Sequence, residues 1–193
     1  KDKYMVTLTG RVDGSSRFGA NNKYGFFPSA GLGWMMSEED FLADSEKINR
    51  LKIRASYGIT GNTEIPAYSS LATVSSGTIL LNGTRVASSS VNRLSNPDLE
   101  WEKTSQLDVG LDLGAFNNRI RFEFDYYYKE TTDLLLDRPV PFATGFVSVR
   151  DNIGAVSNEG VEAMLVTQNI VETDFNWQTS FNINFNKNTI ESL

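Results

Sequence analysis

Cysteine and histidine are both absent from the 193 residues. Without cysteine there is no disulfide, zinc–thiolate site or thiol nucleophile. Without histidine the commonest metal ligand and general base is missing. Ser-His-Asp chemistry is impossible within this chain, and neither catalytic residues nor a metal or cofactor site is expected in it; only carboxylate mechanisms survive the exclusion. Acidic residues (24) outnumber basic ones (18), giving a formal charge of −6. That balance opposes nucleic acid as a partner. No apolar run approaches the roughly 18–20 residues of a membrane-spanning helix. The N-terminal Lys1-Asp2-Lys3-Tyr4 carries no signal-peptide pattern. A chain can nevertheless cross a bilayer with strands, which need only about 9–11 residues and turn alternate side chains to lipid.

What is present is period-2 alternation, in seven segments. Tyr4, Val6, Leu8 and Val12 oppose Thr7, Thr9, Arg11 and Asp13; Phe26, Pro28, Ala30, Leu32 and Trp34 oppose Phe27, Ser29, Gly31 and Gly33. Leu51, Ile53, Ala55, Tyr57 and Ile59 oppose Lys52, Arg54, Ser56 and Gly58. Leu107, Val109, Leu111 and Leu113 oppose Gln106, Asp108, Gly110 and Asp112, and Ile120, Phe122, Phe124, Tyr126 and Tyr128 oppose Arg121, Glu123, Asp125 and Lys129. The sixth segment, around Val161, Ala163 and Leu165, is less regular. The seventh sets Phe175, Trp177, Phe181, Ile183 and Phe185 against a row of Asn, Gln and Ser.

The connections alternate too. Long polar stretches (14–24, 61–97 and 132–158) follow the first, third and fifth segments; short turns follow the fourth, at Asn117-Asn118, and the sixth, near Glu172-Thr173-Asp174. The link after the second segment predicts a short helix with Ser37 as N-cap and Glu38, Glu39 and Asp40 in its first turn. In an antiparallel meander this ordering puts all long loops on one side, as in outer-membrane barrels. A tight turn at Asn117-Asn118 would place Leu113 opposite Phe122 and Asp112 opposite Glu123, like facing like along the ladder.

Alternation alone does not separate a membrane barrel from a soluble extracellular β-sheet module for carbohydrate binding or adhesion. Three features favour the barrel. Aromatics form two belts on the apolar face: Tyr4, Trp34 and Trp177 toward the short turns, and Phe26, Tyr57, Trp101, Tyr126 and Tyr128 toward the long loops. The apolar faces carry no charge, while Arg11, Arg54, Asp108, Asp112, Arg121, Glu123 and Asp125 lie opposite, as a lumen-facing set. The polar face is also rich in Ser, Thr, Asn, Gln and Gly. Seven strands cannot close a bacterial barrel, so more chain, or partner chains, are expected to complete it.

Several segments resemble the SusC/RagA group of TonB-dependent outer-membrane transporters. They are Arg11-Val12-Asp13-Gly14-Ser15-Ser16-Arg17-Phe18-Gly19, Lys23 to Ala30, Gly33-Trp34, Leu51 to Gly58 and Thr60-Gly61-Asn62. Further on come Asn96-Pro97-Asp98-Leu99, Trp101-Glu102-Lys103-Thr104, Gly110-Leu111-Asp112, Phe116 to Arg119, Asp125 to Lys129, Asn152-Ile153-Gly154 and Asn158-Glu159-Gly160. The resemblance implies the C-terminal part of a barrel of about 22 strands, without the plug, the segments that contact TonB or the final barrel strand. It implies import of oligosaccharides or peptides across the outer membrane of a Gram-negative bacterium, with outer-membrane lipid around the barrel and a SusD-like surface lipoprotein as partner.

Candidate sites remain ordinary in character. Asp108, Asp112, Glu123 and Asp125 cluster on adjacent polar faces, but Arg119 and Arg121 nearby account for them as a balanced wall, and no metal is assigned. In the long loops Tyr68, Arg85 and Arg93 are the candidates for contacting a sugar, a peptide or a lid. Asn82-Gly83-Thr84 fits a glycosylation acceptor only formally.

Overall fold

The computed structural model describes residues 3–193; Lys1 and Asp2, where the N-terminal reading begins, lie outside them. Eleven strands follow in order: β1 (Tyr4–Gly14), β2 (Tyr24–Met35), β3 (Ile48–Asn62), β4 (Thr73–Leu81), β5 (Thr84–Arg93), β6 (Glu102–Ala115), β7 (Ile120–Thr132), β8 (Leu135–Pro139), β9 (Ser148–Asn152), β10 (Ala155–Val171) and β11 (Asn176–Ser192). Seven of them form one sheet in the order β1-β2-β3-β6-β7-β10-β11. All six ladders are antiparallel, so the seven alternating segments make the expected meander.

The register agrees with the pattern. Leu113 pairs with Phe122 and Asp112 with Glu123. Phe116, Asn117 and Asn118 all take positive φ (54°, 55° and 59°), and the Arg119 N–H donates to the Phe116 carbonyl. Two asparagines with positive φ at the central positions match the tight turn whose twist suits a hairpin.

Three expectations need correction. The Ser37-capped helix is a single 3-10 turn, Met36–Glu38, entered through Met35 without a side-chain cap. The long stretches 61–97 and 132–158 are not irregular throughout: each carries a two-stranded hairpin, β4–β5 and β8–β9. Asn82-Gly83 is the β4–β5 turn, with φ of 51° and 79°, and its Asn-Gly pair is a hairpin signal. Trp101, expected among the outer aromatics, is buried (6% exposed). It precedes β6, so strand parity does not reach it. It packs with Phe18, Phe27, Ile65 and Leu99 under the loops.

Candidate functional site

The outward face of the sheet is bare and apolar. Val6, Leu8, Leu32, Val109, Phe124, Phe181 and Phe185 are all exposed, without a second layer over them. Its uncharged run has nearly constant length on every strand: Tyr4 to Val12, Phe26 to Trp34, Leu51 to Ile59, Leu107 to Ala115, Ile120 to Tyr128, Val161 to Ile170 and Trp177 to Phe185. Above it on β10 and β11 stand Glu159 and Lys187, an ion pair at 3.3 Å.

The ladders show how this band crosses the sheet. On the long-loop side its last residues share a rung at Val12–Phe26, at Leu107–Tyr128 and at Val161–Phe185. Between those pairs it steps down two residues at a time. Ile59 pairs with Ser105 rather than Leu107, and Tyr128 pairs with Glu159 rather than Val161. The short-turn boundary descends in the same way, from Tyr4–Trp34 to Ile170–Trp177. The drift is about one residue per ladder. With about 3.3 Å per residue and about 4.8 Å between strands, the strands incline roughly 35° to the band's normal, close to the tilt of closed barrels. Eight residue steps then give a band about 22 Å high, against about 25 Å for the lipid belt of an outer-membrane barrel.

The opposite face is polar and internally bonded. Arg54 reaches Asp112 at 2.8 Å and Asp125 at 3.0 Å, and Arg50 approaches Asp112 at 3.6 Å. Arg54 and Asp125 belong to strands that are not adjacent; Gly110 of β6 pairs with both and separates them. A Cβ at Gly110 would lie 2.7 Å from the guanidinium and collide with the Asp125 carboxylate. Glycine is therefore required for the ion pair to close over β6. Asp108 is held by Ser56 and Gln106, and Arg11 pairs with Asp13 at 2.7 Å beside the Phe27 ring. The expected balancing of the acids is corrected for Arg119, while Arg121 stays beside Asp112 and Glu123. Arg119 donates to the carbonyls of Gln168 and Asn169 at the end of β10, and Arg54 and Arg50 do the balancing. Arg121 and Glu123 line a polar groove of 680 Å³ at the short-turn end.

On the long-loop side the connections clasp one another. Asn96 donates to the Arg150 carbonyl and to Asp151. Asn152 donates to the carbonyls of Glu100 and Asp133 and accepts the Glu100 N–H at 2.8 Å. Asn21 and Asn22 donate to Asp98, and Arg17 to the carbonyls of Thr63 and Ile65. Gly19 donates to the Leu99 carbonyl, so close to Pro97 that a Cβ would overlap its backbone. The comparisons agree with this architecture. The family described as TonB dependent receptor-like, beta-barrel matches residues 1–192.

The chain belongs to that family. TonB-dependent receptor P26 of Formosa agariphila is 44% identical over all of this chain and 20% of its own length. TonB-dependent receptor SusC of Bacteroides thetaiotaomicron is 40% identical over the same shares. The RagAB peptide importer in its open-open state superposes with a TM-score of 0.90 at 36% identity, over all of this chain and 21% of that one. The chain thus spans about a fifth of the curated relatives it matches. It is a section of a SusC/RagA-type transporter barrel, and the sheet is part of a transmembrane barrel rather than a soluble module.

Within this TonB-dependent barrel section the predicted loop residues do not converge. Arg93 donates to the carbonyls of Tyr68 and Leu71 and so closes the base of the β4–β5 hairpin. The Tyr68 side chain stays exposed. Arg85 stands near the hairpin tip opposite Leu80, about 27 Å along the strand from Arg93. Of the predicted belts, Tyr4, Phe26, Tyr57 and Trp177 are exposed and Trp34, Tyr126 and Tyr128 partly exposed. Glu39, expected only as a first-turn carboxylate of a short helix, has a different role. It accepts from the Tyr4 hydroxyl at 2.6 Å, the Trp34 indole at 3.1 Å and the Lys3 ammonium at 3.1 Å. Those donors, Tyr4 foremost, hold its carboxyl far below the usual range, at about 2.

Proposed function

We propose that the whole protein is an outer-membrane importer energised through TonB, and that the sheet described here is a wall between lipid and lumen. The observation that carries this reading is the uncharged band of constant height, inclined like a barrel strand and backed by a bonded polar face. In this reading Tyr4, Phe26, Trp34, Tyr57, Tyr126, Tyr128 and Trp177 border the lipid. Arg11, Arg54, Asp108, Asp112, Arg121, Glu123 and Asp125 face the lumen. The cargo is an oligosaccharide or peptide, and a SusD-like lipoprotein covers the loop side. Similarity to a peptide importer supports the peptide end of that range, and the oligosaccharide end rests on the SusC/RagA resemblance. The chain itself is assigned no covalent chemistry.

The test uses the full-length protein in its native host. It is expected in the outer-membrane fraction, co-purifying with a surface lipoprotein, and uptake of its cargo stops when TonB is deleted. Recovery in a soluble fraction, or uptake indifferent to TonB, would overturn the proposal.

A further inference from the structure

The outer aromatics at the short-turn end of β1 and β2 do not end in open solvent. Tyr4 and Trp34 are a direct ladder pair with ring centroids 6.4 Å apart. Both polar tips meet the same oxygen of Glu39, while Lys3 takes the other. The Glu39 side chain is only 16% exposed, whereas that of neighbouring Asp40 stands free of cover. Glu39 is thus folded back from the β2–β3 link over the strand ends. At the same boundary on β11, Trp177 is exposed and its indole has no protein partner among the described residues.

Interfacial tyrosine and tryptophan ordinarily give their O–H or N–H to water or headgroups, which leaves the depth of the ring adjustable. Here a protein carboxylate takes both donors. We propose that Glu39 is a depth anchor: it fixes the Tyr4–Trp34 pair against the β2–β3 link and so sets the level at which phospholipid headgroups meet this part of the wall. The inference rests on the membrane reading, and its partner is the headgroup layer on the short-turn side. Trp177, without such a clamp, is the internal comparison.

The experiment uses the full-length transporter labelled with 5-fluorotryptophan in phosphatidylethanolamine–phosphatidylcholine vesicles. Resonances are assigned through Trp34→Phe and Trp177→Phe. Nitroxides placed at the headgroup or part-way down the acyl chain report depth through relaxation. At a nitroxide distance of about 16 Å, a displacement of one strand residue, about 3.3 Å, changes an inverse-sixth-power relaxation roughly threefold. Glu39→Ala is expected to change the headgroup-to-chain ratio at Trp34 by at least about that factor, since the two relaxations move oppositely, leaving Trp177 unchanged. Glu39→Gln keeps the acceptor oxygen but not the charge. It moves the Trp34 ratio in the same direction by less, and it serves if the alanine variant does not assemble. An unchanged Trp34 ratio in the variants that assemble overturns the anchor. Relaxation of neither tryptophan by any lipid nitroxide overturns the membrane reading instead.

Discussion

A strand tilted through a bilayer makes one rung of the ladder visit several depths, and arginine substitution can measure this. Ala55, Val109, Tyr126 and Val161 occupy a single rung. All face outward, yet Ala55 lies at the middle of the apolar run of β3 while Val161 is the last apolar position on β10, next to Glu159. If the band is inclined as the register indicates, Ala55→Arg puts a guanidinium near the midplane, at a cost of about 2–4 kcal/mol. Val161→Arg puts it near the interface, at about 0–1 kcal/mol. Both residues are small and outward-facing, so lost packing contributes little to the difference. The expected gap of about 2 kcal/mol is roughly thirtyfold in the folding equilibrium. It is read as the shift in urea dependence of folding yield into lipid vesicles, scored by heat-modifiable mobility of the full-length protein. Equal costs, or a costlier Val161→Arg, would refute the inclination and with it the assignment of the band to lipid.

Other consequences are simpler to state. Gly110→Ala is expected to separate Arg54 from Asp125 and destabilise the barrel by about 1–3 kcal/mol, whereas Gly31→Ala, with nothing nearer than 3.8 Å, costs less than 1 kcal/mol; thermal melts of both variants check the contrast. Arg54→Met leaves Asp112 and Asp125 without their shared cation, and the loss is largely recovered when Asp125→Asn is added, a double-mutant cycle giving a coupling of about 0.5–3 kcal/mol. Asn152→Ala removes three hydrogen bonds between loops and is expected to raise protease cleavage within 94–101 and 133–154 before the strands are touched. The Glu39 clamp has a sign fixed by its depressed carboxyl. Its contribution is full above the ordinary value of 4.5 and fades as pH falls through about 2, with Lys3, Tyr4 and Asp40 the titratable groups around it. Trp34 relaxation by lipid nitroxides should therefore be constant from neutral pH down to about 5 and change only below that.

The long strands were legible because one face is uniformly apolar, and their register within hairpins followed from short turns such as Asn117-Asn118. Where the ion-pair partners escaped the pattern, the missing information was non-local. Arg54 and Asp125 are 71 positions apart, and their meeting requires the β3–β6 ladder, which skips the whole β4–β5 excursion. Arg119 looked nearer to the acids in sequence, but it sits in the turn and spends its donors on β10 carbonyls. Trp101 was misplaced because alternation was extended one residue beyond the strand. The β4–β5 hairpin was missed because its strands are rich in serine rather than alternating, although Asn82-Gly83 could have signalled it.

Several of the segments that carry the resemblance to SusC and RagA lie on the loop side and lock it together. Arg17, Gly19, Asn96, Asp98, Leu99, Trp101 and Asn152 all act within the clasp or the buried cluster beneath it. Each uses a property other residues supply poorly: glycine to meet a backbone, an asparagine amide to give and accept at once, an arginine to bridge two carbonyls. Such residues determine where the loops stand and not what they touch. Exposed apolar residues outside the resembling segments stand at the hairpin tips, Ile79, Leu80 and Leu81 on β4–β5 and Phe142 and Val147 on the β8–β9 excursion; under the proposed function these are the surfaces offered to cargo or lid. Exchanging 78–86 between this protein and a relative with a different cargo should therefore alter binding while leaving the fold intact, whereas exchanging 96–101 should disturb the fold first. If instead the 78–86 exchange left cargo and lid binding unchanged, the specificity would have to be sought at the β8–β9 tip or in the parts of the barrel beyond this section.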